Sequence, residues 1–430
     1  MLEAMLREGR EAGLDLSLRL RSREFRMRFT PGADAPSARE AAYRLLALEA
    51  SFLVFIEGAP PCLMPDAFEH FSWPVGEKGP FRRVPACRTC ALACRCPGAP
   101  RGLPAQLLSP VLPAPSEIVL ELSKECNLAC RACFGREALR LPAAAGERAL
   151  REAARLGVKS ARFTGGEPLL HPDLYGLLKL ARKLGFYILL NTNGTLLDRA
   201  AARRLAGLAD NALISLPGTD EASHAAATGR PGSLAAKAAA VKLLRAAGVK
   251  VVRAGTVISR RIAGDFKASR ARVGRMGFDI WELYRPMLGP AALAAAPEFR
   301  VTAADMRGLA SQTAVQGGGL PRAVLANPVP FCSLPAAARP WALGARFDDG
   351  WTRLVLDPSG RYKPSYPSSE FLGRTLKEAL GSPYIKELRA GGWLPRACRG
   401  CRMLNCCLGG SRFQAGLAGN TFGRDPWMKL

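Results

Sequence analysis

From Ser116 onward, short apolar runs alternate with longer stretches whose apolar residues recur every three or four positions. The runs are IVLEL, SARFT, FYILLN, ALISL, VVRAGTVI and DIWELY, and between them lie ERALREAARLG, LYGLLKLARKLG and SLAAKAAAVKLLRAAG. Short runs rich in branched apolar residues read as strands, and recurrence near 3.6 reads as helices with one face on a core. Strict alternation of the two predicts repeated βαβ units and a parallel sheet. Gly157, Gly185, Gly248 and Gly277 fall where helix C-caps belong. About six strands are countable, fewer than a closed barrel's eight, so an α/β fold with an open or partial barrel is expected.

The flanks are less regular. Residues 1–96 form an N-terminal domain in which SLRLRSREFRMRF reads as one amphipathic strand, and which ends in CRTCALACRCPG. Residues 97–115 are Pro-rich and predict an extended linker. After the 116–290 core, a bridge of 291–327 leads to a C-terminal domain, 328–430. There TRLVLDPSGRYKPSY predicts two β runs around a turn, TLKEAL a short helix, and CRGCRMLNCCLGG a second thiol cluster.

At 430 residues and 48% hydrophobic, the chain has room for two or three domains. Its beginning, MLEAMLREGREAGLDLSLRL, does not read as a signal peptide. The apolar stretch LLALEASFLVFIEGAPPCLM is broken by Glu49, Glu57 and a Pro pair, too short to span a bilayer. A cytoplasmic protein without membrane contact is expected. Its thirteen cysteines, in a reducing compartment, then read as metal ligands or redox groups rather than disulfides. The net charge of +25 invites a nucleic-acid reading, but the arginines that dominate it are scattered through an Ala- and Gly-rich chain. The charge is retained as a weak pointer to an acidic partner.

The stretch SKECNLACRACFGR sets Cys126, Cys130 and Cys133 directly after the first strand of the core. Parallel α/β sheets collect ligands at the carboxyl ends of their strands. Three thiolates there can hold three corners of a cubane iron–sulfur cluster and leave one iron open. CNLACRACF resembles the CxxxCxxC loop of the radical S-adenosylmethionine (SAM) enzymes, and further motifs follow in order. FTGGEP is similar to the family's GGEP motif, NTNG to its turn after the third strand, and ISLPG to its SLDG passage, with Pro217 where Asp is usual. The resemblance covers roughly residues 116 to 290 and implies a partial (β/α)6 TIM-like barrel. It implies a SAM-binding [4Fe-4S] cluster on Cys126, Cys130 and Cys133, with S-adenosylmethionine contacted by Phe134, Gly165, Gly166, Glu167, Pro168, Asn193 and Ser215. It names no catalytic side chain beyond these. Read alone, Gly165 and Gly166 are also an ordinary turn, and Asn193 and Ser215 also ordinary strand-end caps.

The C-terminal thiols resemble the SPASM or shorter twitch extension that carries auxiliary iron–sulfur clusters. Cys398, Cys401 and Cys407 fit its Cx2Cx5C core, while Ser365, Ser411 and Met428 stand where further cysteines are usual. One cluster is expected there, with Cys332 or Cys406 as fourth ligand; a zinc ribbon is the alternative. Cys87, Cys90 and Cys96 repeat the same spacing, and with Cys62 make a four-thiolate site for iron–sulfur or zinc, Cys94 being spare.

The resemblance implies reductive cleavage of SAM to a 5′-deoxyadenosyl radical that abstracts hydrogen from a substrate, with a ferredoxin- or flavodoxin-type low-potential donor. The expected substrate is a peptide or protein side chain, in the manner of a maturase. A tetrapyrrole or other carboxylate-bearing small molecule is the alternative, for which arginines would serve as clamps. A zinc-stapled, basic nucleic-acid-binding protein without catalysis is the third reading, opposed by the ordered motifs.

Overall fold

The N-terminal run of alternating Arg and apolar residues folds as a hairpin. In this computed structural model, which describes residues 2–111, 114–133, 139–345 and 350–429, β1 (Leu14–Arg19) pairs antiparallel with β2 (Glu24–Phe29). The single strand expected from SLRLRSREFRMRF is therefore two. The turn contains Arg23 at φ 49°, a left-handed position filled without the Gly or Asn that would have announced it. Helix α1 (Leu2–Glu11) precedes the hairpin; α2 (Ala35–Leu45) follows, capped by the Asp34 carboxylate on Ser37 N, and leads to β3 (Leu53–Glu57), parallel to β2.

β3 is buried on both faces. Val54 and Ile56 pack into the core of the N-terminal domain, whereas Leu53 and Phe55 join the main core, which also takes up Leu92 and Val111. The domain is thus welded to the rest of the molecule. The Pro-rich segment also folds back rather than spanning: β5 (Ala99–Pro100) pairs with β4 (Phe81–Arg82), and Ser109 N donates to Cys62 O at 2.8 Å.

From β6 (Glu117–Glu121) the chain runs through parallel strands β7 (Ser160–Thr164), β8 (Tyr187–Thr192), β9 (Asn211–Ser215), β10 (Val251–Val257), β11 (Ile280–Tyr284) and β12 (Arg322–Leu325). β13 (Arg353–Leu356) adds beside β6 in parallel, and β14 (Tyr362–Lys363) pairs antiparallel with β13 at the edge. The nine-stranded sheet, ordered β12-β11-β10-β9-β8-β7-β6-β13-β14, stays open. This is the partial TIM-like barrel, the six expected strands being extended by β12 at one edge and by the C-terminal runs β13 and β14 at the other. The extra β12 lies in the segment expected as a bridge; its four residues, RAVL, follow a Gly-rich turn and are too short for a readable period.

Helices α3 (Ala143–Arg155), α4 (Leu174–Lys183), α5 (Arg199–Leu205), α6 (Glu221–Thr228), α7 (Ser233–Ala246), α8 (Arg260–Gly264) and α9 (Phe266–Arg275) cover one face. Asp198, Asp220 and Ser259 accept from backbone N–H groups in the first turns of α5, α6 and α8. Gly157, Gly185, Gly248 and Gly277 take positive φ at helix ends, as their positions in the sequence required. Beneath the helices lie Ile118, Leu120, Phe163, Ile188, Leu190, Ile214 and Trp281, all buried. The alternate residues face the barrel interior, and many of them are charged. Among the described residues, no helix is long and apolar enough to cross a membrane.

Candidate active site

The chain leaves β6 and enters the loop that carries Cys126, Cys130 and Cys133, of which the first and last are exposed. This loop is anchored on α6, where Ala129 N donates to Thr228 O at 3.2 Å and Arg131 N to Ala227 O at 3.0 Å. Asn193, just past β8, donates from Nδ2 to Asn127 Oδ1 at 2.8 Å and lies 3.6 Å from Cys126 Sγ, which also accepts from Leu128 N at 3.4 Å. Burial raises the Cys126 thiol pKa, and these two hydrogen bonds oppose the shift. Coordination to a metal removes such a proton outright. Phe134 lies outside the described residues.

Gly165 and Gly166 lie against the root of that loop. A Cβ on Gly165, at φ +141°, would meet Ser123 O at 2.5 Å, and one on Gly166 would meet Glu125 O at 1.9 Å. Only glycine lets the two segments approach, and they are sewn together by Gly166 N to Ser123 O (2.6 Å) and Glu167 N to Glu125 O (2.8 Å). Glu167 is fully buried. Its carboxylate accepts from Leu169 N (3.1 Å), Thr192 Oγ1 (2.7 Å) and Asn193 N (2.7 Å); burial raises its pKa and those donors oppose it. Gly165, Gly166, Asn193 and Ser215 therefore face the barrel mouth, whereas Glu167 and Pro168 stand behind it and hold the end of β8.

Sequence reasoning missed two residues behind this wall. Lys237 on α7 is fully buried and donates from Nζ to Ser215 O at 2.7 Å. Burial pulls its ammonium down to about 8 against the fields of Cys130, Glu167 and Cys126. A lone Lys inside SLAAKAAAV was the available signal. His224 on α6, also fully buried, pairs through Nδ1 with Gly218 O at 3.1 Å, while its Nε2 has no hydrogen-bond partner.

The mouth opens into a cavity of about 410 Å³ reaching from the three cysteines down the barrel. Its floor is an ion-pair network. Glu117 receives both Arg162 Nε and Nη2 at 2.9 Å, and Arg353 Nε as well. Burial alone would raise the Glu117 carboxyl, but the two guanidiniums prevail and hold it at about 2. Arg253 pairs with Glu282, which also accepts from Tyr284, and reaches Asn211 Oδ1 at 2.6 Å.

The C-terminal thiols gather from two segments. Cys398 feels the charges of Cys401 and Cys332, and Cys407 that of Cys332. Burial pushes Cys398 up to about 11 and Cys407 up to about 12, the latter opposed by backbone N–H bonds from Phe331, Gly410 and Gly409. Leu408, Gly409 and Gly410 take positive φ in succession, curling the chain around Cys407. Cys406 is turned aside, its Sγ on Met403 O at 3.3 Å. Of the two candidate fourth ligands, Cys332 stands with the group. Where a further cysteine is usual, Ser411 N donates to Asp425 Oδ2 at 2.9 Å. Asp425 is also gripped by Arg285 at 2.7 and 3.1 Å, binding the chain end to the barrel mouth. In the N-terminal domain, Cys62 feels Cys96, Cys90 and Cys87, and burial pushes it up to about 12. Exposed Cys94 lies apart, on Arg389 O.

Comparison with known proteins agrees with this geometry. Residues 120–262 match the model of the Radical SAM superfamily. The chain is 30% identical over 348 residues to the PqqA peptide cyclase of Gluconobacter oxydans, spanning 74% of this chain and 91% of that one. Identity is also 30% over 352 residues to the PqqA peptide cyclase of Streptomyces rochei, with the same coverage. In fold it resembles Streptococcus suis SuiB bound to its precursor peptide SuiA, at TM-score 0.58 and 19% identity over 74% of this chain and 77% of that one. anSMEcpe with bound AdoMet follows at TM-score 0.55 and 16% identity, over 74% and 89%. The chain belongs to the radical SAM superfamily and is a radical SAM enzyme with a SPASM-type C-terminal extension. Membership brings a [4Fe-4S] cluster and S-adenosylmethionine as cofactors, and the residues at the mouth fit both: three thiols on one loop, a wall with no Cβ, and amide and hydroxyl side chains at the strand ends.

Proposed function

We propose that this enzyme cleaves SAM reductively and uses the radical so formed to modify a peptide. The observation that carries the reading is that the three-cysteine loop and the wall of Gly165, Gly166, Asn193 and Ser215 face one cavity at the carboxyl ends of the strands. Cys126, Cys130 and Cys133 would hold the cluster, whose bound SAM supplies a 5′-deoxyadenosyl radical. The glycines admit the methionine portion, Asn193 orients the loop through Asn127, and buried Lys237 offsets thiolate charge. A peptide substrate is supported by the names of the relatives above. Cys332, Cys398, Cys401 and Cys407 form the auxiliary site, and a low-potential ferredoxin- or flavodoxin-type protein is the donor.

Replacing Cys126, Cys130 and Cys133 together with Ala abolishes 5′-deoxyadenosine formation in an anaerobic, dithionite-driven assay while iron remains on the other thiols. Retained cleavage would overturn the site. Incubating the native enzyme with SAM and small peptides encoded beside its gene should change a peptide's mass; turnover of a porphyrin carboxylate instead would overturn the peptide half.

A further inference from the structure

Four thiols stand apart from both the barrel mouth and the C-terminal group. We propose that Cys62, Cys87, Cys90 and Cys96 hold an iron–sulfur cluster, and that the domain around them is the port where an acidic, low-potential electron-carrier protein docks and reduces the enzyme. The docking half rests on the reading of the chain as a reductive SAM-cleaving enzyme; the metal half does not.

Local structure builds a ligand set here. Cys62 sits on the turn Pro61–Leu63, tied by Ser109 N to its carbonyl, and lies within the electrostatic reach of the other three thiols. Gly98 N donates to Cys96 Sγ at 3.4 Å and Val84 N to Cys87 Sγ at 3.5 Å, the kind of N–H···S contact that tunes cluster thiolates. A Cβ on Gly98 would meet Arg82 O at 2.4 Å, so only glycine closes the turn under Cys96. Cys96 precedes Pro97, the same Cys-Pro step that ends the bacterial ferredoxin cluster-binding run.

The site is joined to the C-terminal thiols. Arg95, between Cys94 and Cys96, donates to Asn405 Oδ1 at 3.0 Å and lies 5.1 Å above the Trp351 ring. Asn405, between Cys401 and Cys407, donates back to Phe71 O at 2.8 Å. One Arg–Asn contact thus links the two thiol-bearing segments. The outer surface is basic: Lys78, Arg82, Arg83, Arg88 and Arg101 are exposed. Glu77 is the sole acid between residues 76 and 101 of the sequence, and Arg28 holds it at 2.8 Å. Such a face steers and seats an acidic partner. One electron leaves the reduced carrier, lowers the N-terminal cluster by one unit, and passes to the C-terminal cluster as the first is re-oxidised. No bond is made or broken.

The test uses the full chain carrying Cys126→Ala, Cys130→Ala and Cys133→Ala, with iron, sulfide and zinc measured anaerobically. Two outer cubanes give about eight irons at about four each, falling to about four when Cys62, Cys87, Cys90 and Cys96 are also replaced with Ser. One zinc per chain at this site, or unchanged iron, overturns the metal half. Should the larger variant fail to fold, the reduced parent decides by electron paramagnetic resonance: two interacting clusters are expected, and one isolated signal refutes them. For docking, in the enzyme that keeps Cys126, Cys130 and Cys133, Lys78→Glu, Arg88→Glu and Arg101→Glu together should slow reduction by a reduced flavodoxin about tenfold at low salt and leave reduction by dithionite unchanged. Equal slowing by both, or by neither, overturns the port. Normal reduction without deoxyadenosine would instead strike the reductive-cleavage reading.

Discussion

The smallest decisive unit is Gly166. Its missing side chain leaves room for Glu125 O, one residue before Cys126, at a distance where a Cβ would be only 1.9 Å away. Backbone cannot yield there as a flexible side chain could, so Gly166→Ala must push the root of the cysteine loop outward. Loss of deoxyadenosine formation by about a hundredfold is expected, as when reacting groups are displaced by about 1 Å, together with about four irons lost per chain. Gly176→Ala is the control: nothing lies within 4 Å of its Cβ and it sits inside α4, so stability should rise by about 1 kcal/mol with activity unchanged. A normal iron content in Gly166→Ala would sink the argument. The sequence showed that glycines stand here; it did not show that their neighbour is the cysteine loop rather than the ligand alone.

Between elements, α6 and α7 meet around a charge that burial makes costly. Buried His224 is depressed from 6.5 to about 4, by burial first and by Lys237 second. The unfolded chain therefore binds a proton between those values that the folded chain refuses. The stability this confers is complete above about pH 6.5 and is lost as pH falls toward 4. His224→Gln should flatten the slope of unfolding free energy against pH in that window, measured by denaturant titration at several pH values; an unchanged slope would rule the group out. The strands and helices of this region were legible because one face of each is apolar at the period of its own geometry. The hairpin β1–β2 was not, because Arg23 occupies a turn position that usually advertises itself with Gly or Asn.

Across the whole molecule, the C-terminal extension is held to the barrel mouth by a buried ion pair. Asp425 accepts from Arg285, Ser411 N and Trp427 N, and the Arg285 guanidinium lies 3.6 Å from the Trp427 ring centroid. Asp425→Asn takes the negative charge out of this buried pair, a change of the kind that costs about 3–5 kcal/mol. Limited proteolysis should then cut the segment after Leu394 faster, while SAM cleavage persists and peptide modification falls. Equal loss of both activities would show that the extension supports the barrel itself.

Strand–helix alternation, the capping glycines and the spacing of each cysteine group could all be read along the chain before it folds. All are local, set by side-chain period, by φ and by the reach of a few residues of backbone. Only packing brought Cys332 within electrostatic reach of Cys398 and Cys407, set Glu167 to brace β8 instead of facing the cavity, and let Arg95 meet Asn405 across 310 residues. Those outcomes depend on which surfaces are buried against each other, and burial and electrostatic neighbourhood are properties of the packed chain, not of any window within it.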